Sequence, residues 1–254
     1  QDPTITIADG SQVNISSPMI SKEGVHYRQL IQKFLSVAVN FSQGTNDYLL
    51  TDFGSALDPY KDKTYSGAAH KFDEGFGYYG ASRDMNDYTD DEAAGKGGRA
   101  EYGKGYYDSN GDGLIDLRSE FVFGHAQNCA KRDRLKDPEG NPYTDFTKDA
   151  MDAFMIGRRI LQNAEEAGEL TDAANDALQA QIRIAAVTWE KCIAATAVHY
   201  INDVSADMAE FSNGAFADRS NFVDLAKHWA ELKGFALGLQ FSALSPFRDG
   251  SSGK

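Results

Sequence analysis

The sequence predicts an all-α protein: a helical bundle with one long loop insertion and a short extended segment at its amino end. Three observations favour this class. Apolar residues recur at helical spacing over most of the chain, residues that cap or break helices separate these stretches, and strand-like alternation is convincing only over residues 4–15. We expect an extended lead-in over residues 1–20 and a single helical domain over 21–245, with the insertion at 84–117.

The elements follow in order along the chain. Residues 4–15 alternate and turn at Asp9-Gly10, which predicts a small hairpin or an extended lead-in. Ser21 is a candidate cap for the first helix, which carries Leu30, Phe34 and Ala38 on one face. Further helices are expected at about 45–57, 66–80, 118–133, 144–168, 171–211 and 220–245, with a breaker at 137–142.

Residues 84–107 are rich in Gly, Asp, Lys and Tyr and predict a long loop. The segment that follows reads Asp-Ser-Asn-Gly-Asp-Gly-Leu-Ile-Asp-Leu-Arg-Ser-Glu over residues 108–120. Alternating oxygen side chains with glycine at the sixth position are typical of a calcium loop of the EF-hand kind. The expected ligands are the side chains of Asp108, Asn110, Asp112, Asp116 and Glu120 and the backbone carbonyl of Leu114.

One position departs from that pattern. Position twelve, where a bidentate Glu is expected, is Ser119, and Glu120 comes one residue late. A slightly longer loop would still bring Glu120 to the ion; otherwise the site is weaker. The alternative is a solvated turn of Asp, Asn and Gly between helices.

Composition limits the function classes. The chain has 254 residues, 38 acidic against 25 basic side chains, and a formal net charge of −13. This balance argues against nucleic-acid binding, which needs clustered Lys and Arg. It suits a protein that meets cations or basic surfaces, although solubility alone also explains it. No apolar run is long enough for a transmembrane helix.

Histidines recur beside acids or thiols at helical spacing, as His70 with Glu74 and His125 with Cys129. The other pairings are Cys192 and Asp203 with His199, and Glu231 with His228. Helix-surface pairs or buried histidines explain each pair singly, whereas together they suggest a metal site in a bundle core. The candidate ligands for iron or zinc are His70, Glu74, His125 and His199. The sequence holds no HExxH, G-x-S-x-G or Walker motif.

Cys129 and Cys192 are the two cysteines of the chain. One disulfide, two buried free thiols, or metal ligation together with His125 and His199 are the three alternatives that the sequence leaves open. A disulfide would join the helix after the calcium loop to the long helix over 171–211.

Residues 68–80, Ala-Ala-His-Lys-Phe-Asp-Glu-Gly-Phe-Gly-Tyr-Tyr-Gly, together with residues 194–202 and 228–241, resemble signature helices of a bacterial branch of the imelysin-like family. The resemblance covers most of residues 22–245. It implies two related helical bundles and an exported protein, periplasmic, extracellular or anchored to the outer membrane as a lipoprotein. It also implies a link to iron uptake or to peptidase activity. The family's Gly-x-His-x-x-Glu motif is only approximated here, by Gly67, His70 and Glu74.

The sequence therefore favours a non-enzymatic, exported metal-binding protein with a structural calcium site and a transition-metal site linked to metal uptake. One alternative is a metallopeptidase of imelysin type, for which Glu74 beside His70 is the candidate general base. The other is a calcium-stabilised interaction module that binds a protein partner at the outer membrane or cell surface, because long loops in compact domains are often functional.

Overall fold

The computed structural model describes residues 4–6, 10–15, 17–210 and 221–247 of the chain. Helices dominate this part of the protein, which confirms the predicted all-α character. The chain divides into two compact units: Gln1–Ala38 with Ala194–Leu239 form the first, and Val39–Ile193 with Gln240–Lys254 form the second. In the described part, no helix combines the length and the apolar character that a membrane crossing requires.

The regular elements begin with two short strands, β1 (Thr4–Thr6) and β2 (Gln12–Asn14), which pair antiparallel as the predicted hairpin. The turn residue Asp9 lies outside the described residues. The α-helices are α1 (Tyr27–Leu35), α2 (Gly67–Tyr79), α3 (Asp90–Ala93), α4 (Gly124–Asp133), α5 (Phe146–Ala167), α6 (Asp172–Glu210) and α7 (Phe222–Gly238).

In the first unit, α1 and the turn that follows it pack against α7 through two glycines of α7. A Cβ at Gly234 would lie 2.7 Å from Lys33 Cβ, and one at Gly238 would lie 2.3 Å from Val37 Cβ. Since only glycine permits so close an approach, these positions fix how the two helices meet. A small core joins the hairpin to α7 and contains Ile5, Ile15, Ile20 and Ala226, with Phe222 and Val223 packed against it.

In the second unit, the core forms around the fully buried Trp189 on α6. The rings of Phe41 and Tyr79 each lie 5.3 Å from the Trp189 ring in edge-to-face geometry, which aromatic quadrupoles favour. Cys129 on α4 and Cys192 on α6 form a disulfide with a Cα–Cα distance of 5.2 Å. Of the three alternatives for the cysteines, the structure has the bridge, so neither sulfur is available as a metal ligand.

The helix expected at 45–57 is wrong in type and extent. The chain is instead wound as π-helix over Ser36–Phe41 and Gln43–Leu49, and Leu50 N–H donates to the carbonyl of Thr45 at 2.8 Å, five residues back. Tight packing accompanies this winding, because a Cβ at Gly44 would lie 2.7 Å from the Trp189 ring. Only a short 3₁₀ turn follows, at Gly54–Ala56.

Three other expected boundaries are also wrong. The first helix begins at Tyr27 with His26 as its N-cap residue, not at the expected cap Ser21. The helix expected from Arg118 begins at Gly124, because the preceding residues are drawn into extended backbone pairing: Val122 N–H donates to Gly105 O at 2.8 Å, and Phe123 N–H to Gly80 O at 2.9 Å. The last helix ends at Gly238 and continues only as a 3₁₀ turn, Leu239–Phe241, well before Pro246. Its expected cap, Ser220, lies outside the described residues.

The segment 84–107 is more ordered than the predicted loop. It contains a 3₁₀ turn, Met85–Asp87, and the short helix α3. Thr89 caps α3, and Glu92 completes a capping box with it. The Glu92 carboxylate is buried and also accepts the Arg99 Nε at 2.8 Å, so this ion pair pins the segment that follows α3.

Candidate functional site

The 108–120 loop lies between α3 and α4 in the second unit, and backbone pairing joins the two ends of the loop. Tyr106 and Phe121 form an antiparallel bridge, and Tyr107 N–H donates to Glu120 O at 3.2 Å. The Tyr107 ring stacks on Tyr102 at 4.0 Å between centroids, and the Arg99 guanidinium lies 3.8 Å from the centroid of the Tyr102 ring. The ordered insertion therefore supports the loop at its amino end.

Within the loop, Asp108 organises the turn. Its Oδ1 accepts the N–H groups of Gly111 at 2.7 Å and Asp112 at 3.2 Å, and its Oδ2 accepts that of Gly113 at 2.8 Å. Gly111 and Gly113 have φ values of +72° and +81°, which glycine adopts without strain. Asn110 Oδ1 accepts Asp112 N–H at 2.8 Å, so three alternating side chains share one tight turn.

Glu120 folds back over this turn and is buried at 3% exposure. Its Oε1 accepts the N–H and hydroxyl of Ser109 and the N–H of Asn110, at 2.9, 2.7 and 3.3 Å. Its Oε2 accepts Asp116 N–H at 3.0 Å. These bonds, that from Asp116 N–H foremost, lower the pKa of Glu120. Glu120 therefore turns back to the loop and holds its backbone through these hydrogen bonds.

The free acceptor positions decide what the loop can hold. A carboxylate has about four lone-pair positions. From described residues Asp108 receives three hydrogen bonds, whereas Asn110 Oδ1 and Asp112 Oδ1 each receive one. Oxygen positions remain on all three, and the Leu114 carbonyl adds a neutral one. This all-oxygen donor set suits a hard cation such as calcium.

Elsewhere in the second unit, Asp90, Asp133 and Asp145 approach one another. In the part of the chain that the structure describes, they are the one group of three His, Cys, Asp or Glu side chains whose ligand atoms all lie within 4.8 Å of one another. The carboxylates of the 108–120 loop are not such a group, so a cation there would have to draw them closer. No sequence pattern predicts this triad, because its members come from three separate segments.

Asp133 is fully buried and caps α5 from the end of α4. Its Oδ1 accepts Phe146 N–H at 2.9 Å, and its Oδ2 accepts Thr147 N–H at 2.8 Å. Burial raises the pKa of Asp90 and of Asp145, and the Asp133 charge raises both further. Asp90 and Asp145 line a cavity of about 780 Å³. The triad is therefore a capping structure whose outer members favour a proton or a cation.

His70 and Glu74 lie on α2 and form a pair, with His70 Nε2 3.0 Å from Glu74 Oε1. The His70 ring stacks on Tyr60 at 4.2 Å between centroids. Glu74 also accepts a hydrogen bond from Tyr48, which raises the pKa of that phenol to about 12. Both residues line a cleft of about 1280 Å³ between α2 and α5. The pair gives a metal at most two protein ligands.

The remaining histidines have other surroundings. His125 is buried with its ring 5.4 Å from that of Trp189, and its carbonyl oxygen lies 3.8 Å from Cys192 Sγ. His199 belongs to the first unit and pairs with Asp203 at 3.3 Å. His228 pairs with Asp207 of α6 at 2.7 Å rather than with Glu231, which instead meets Lys33 of α1 at 3.4 Å.

Comparisons of the chain with protein-family models, with curated proteins and with solved structures found no match. The resemblance to the imelysin-like family, and the export and iron-uptake functions that it implies, therefore stay predictions.

Proposed function

We propose that the protein is an exported, non-enzymatic calcium-binding protein whose 108–120 loop holds the ion. One observation carries the proposal: Asp108, Asn110 and Asp112 converge on a single tight turn that the backbone already forms around the Asp108 carboxylate. Such pre-organisation lowers the conformational cost of binding, because the turn does not have to be created by the ion.

The donor set favours calcium over a transition metal. The candidate ligands in the loop are oxygen atoms, which calcium takes in numbers of six to eight, whereas zinc and iron prefer imidazole and thiolate. His70 and Glu74 supply two ligands and are already bonded to each other. A structural zinc site takes four protein ligands, and a catalytic one takes three. Calcium is accordingly the cation that we propose.

The affinity should be modest for two reasons. Position twelve is Ser119, so the bidentate ligand is absent, and Glu120 already accepts four hydrogen bonds from the loop. The carboxylates must also move closer to close on the ion. We expect a dissociation constant of about 10⁻⁴–10⁻³ M, the range of extracellular calcium modules. The Cys129–Cys192 bridge supports the exported part of the proposal, because disulfides persist in oxidising compartments.

Calorimetric titration of the chelator-treated protein with calcium tests this function. Asp112→Ala removes an exposed ligand whose side chain makes one loop hydrogen bond, and it should weaken binding by about tenfold or more. Asp145→Ala is the matched control, because it removes one carboxylate of the triad and the same charge. Saturable binding that Asp112→Ala weakens and Asp145→Ala preserves is the expected result. No saturable binding up to about 10 mM calcium, which is about ten times the weakest dissociation constant expected, would contradict the proposal, and so would the reverse order of the variants.

A further inference from the structure

We propose that the cleft between α2 and α5, called the arginine cleft below, is a binding site for a small organic oxyanion. The ligand class is a carboxylate or phosphate carried on an aromatic or apolar body. One residue of the cleft lining, Arg118, belongs to the 108–120 loop, and the other lining residues lie outside that loop.

Charge is the first argument. Four arginines line the arginine cleft, against two acids, Asp73 and Glu74; they are Arg83, Arg118, Arg158 and Arg159. Across the whole chain the balance is opposite, with 38 acidic and 25 basic side chains. A cleft of excess positive charge in an acidic protein attracts anions against the sign of the overall field.

The pairing of these arginines shows which charges remain available. Arg158 Nε meets Asp73 at 2.9 Å, and its Nη1 lies 3.7 Å from Glu165. Arg118 Nε meets Asp116 at 3.3 Å. Arg83 and Arg159 make no salt bridge with any residue in the described ranges. Among the described residues nothing neutralises their guanidinium groups, which can bind an oxyanion through paired N–H donors.

The wall between the charges is apolar and aromatic. The rings of Tyr48 and Tyr78 lie 5.4 Å apart, and Met155 is 54% exposed although it is a large apolar side chain. Phe76 and Phe154 also line the cleft. The polar tip of Tyr48 is bonded to Glu74, so the Tyr48 ring is the part left to pack on a ligand. Such a surface fits a ring or an apolar chain.

The size of the cleft favours an organic molecule over a bare inorganic ion. The arginine cleft has a volume of about 1280 Å³. Pockets for small organic ligands usually enclose about 300–1,000 Å³, so a molecule of that size fits with room for solvent. One phosphate ion would reach the arginines but leave the aromatic wall uncovered.

Two dyes of matched shape test the proposal on the full chain. The anionic probe is 8-anilinonaphthalene-1-sulfonate, and the neutral probe is N-phenyl-1-naphthylamine, which has the same rings without the sulfonate. The variants are Arg83→Gln/Arg159→Gln and the charge-matched control Lys104→Gln/Lys191→Gln, whose lysines are exposed and do not line the cleft. Thermal melts establish that both variants fold.

Wild type and control should bind the anionic dye more tightly than the neutral one, and the double arginine variant should lose about tenfold or more of the anionic affinity only. Displacement by 1-naphthylacetate or by 1-naphthyl phosphate then identifies the preferred oxyanion. The proposal is overturned if the arginine variant binds the anionic dye as the control does. Equal affinity of wild type for the two dyes, or failure of both competitors to displace the dye, overturns it as well.

Discussion

Breaking the disulfide between Cys129 and Cys192 should lower the free energy of unfolding of the second unit by about 4 kcal/mol. The bridge joins α4 to α6 across a sequence separation of 63 residues. The chain-entropy relation gives about 3 kcal/mol for a 15-residue loop and about 4.7 kcal/mol for a 100-residue loop, so this loop falls between them, near the upper value. Both cysteines are fully buried, so replacing them with alanine also removes packed sulfur atoms, which reduction does not.

Urea denaturation followed by far-UV circular dichroism, with and without a phosphine reductant, measures this loss. The reductant should lower the unfolding midpoint of wild type. The control is Cys129→Ala/Cys192→Ala, which should be less stable than oxidised wild type and insensitive to the reductant. The reasoning is refuted if a thiol assay finds two free cysteines in the reduced protein while its midpoint equals that of the oxidised protein.

Two further predictions concern single positions. The carboxyl of Glu92 has its pKa lowered from 4.5 to about 2, chiefly by the hydrogen bond from Arg99, so the stabilisation is complete above pH 4.5 and is lost as the pH falls toward 2. Glu92→Gln should therefore lower the free energy of unfolding by about 1–2 kcal/mol at neutral pH, a value that allows for the half-exposed Arg99. Denaturant titrations below pH 4.5 should show a smaller difference between the variant and wild type. A difference that does not change with pH contradicts this account. Gly75→Ala should destabilise the protein by about 1–3 kcal/mol, because the new Cβ would lie 2.8 Å from Leu49 Cδ2. On the same helix, the Cβ of Gly77→Ala would meet nothing within 4 Å, so this variant should stabilise the protein by about 0.5–1 kcal/mol. Equal shifts of the melting temperature in the two variants would show the packing argument to be wrong.

The long helices were predictable because their signals are local. Gly168 ends α5 in a left-handed conformation with φ +74°, and Thr171 precedes α6 and accepts Ala174 N–H at 3.2 Å. The capping box Thr89-x-x-Glu92 was equally readable, but the Gly-rich and Asp-rich composition around it favoured a loop. Composition describes an average, whereas a cap depends on two particular residues.

The π-helical stretch could not be predicted from its own residues. Its winding goes with the packing of Gly44 against Trp189, which is 145 positions away in sequence. The start of α4 depends in the same way on backbone pairing of Val122 and Phe123 with distant segments. Tertiary contacts override local propensity at such places.

The candidate sites also differ in whether their residues are close together in the sequence. The candidate ligands of the 108–120 loop lie within thirteen consecutive residues, so their pattern is visible in the sequence. The acid triad and the arginine cleft assemble from several segments, and no spacing rule relates their members. His228 illustrates the error that helical spacing alone produces: Glu231 is one turn away, yet the partner is Asp207 on another helix.

The central claim is that the 108–120 loop is the calcium site, and the position of a bound ion tests it most directly. Crystals of the full chain grown with calcium, measured at a long wavelength for anomalous scattering, would locate the ion. The account predicts one peak within about 2.3–2.6 Å of oxygen atoms of Asp108, Asn110 and Asp112. A peak at the Asp90, Asp133 and Asp145 triad with none in the loop would contradict it.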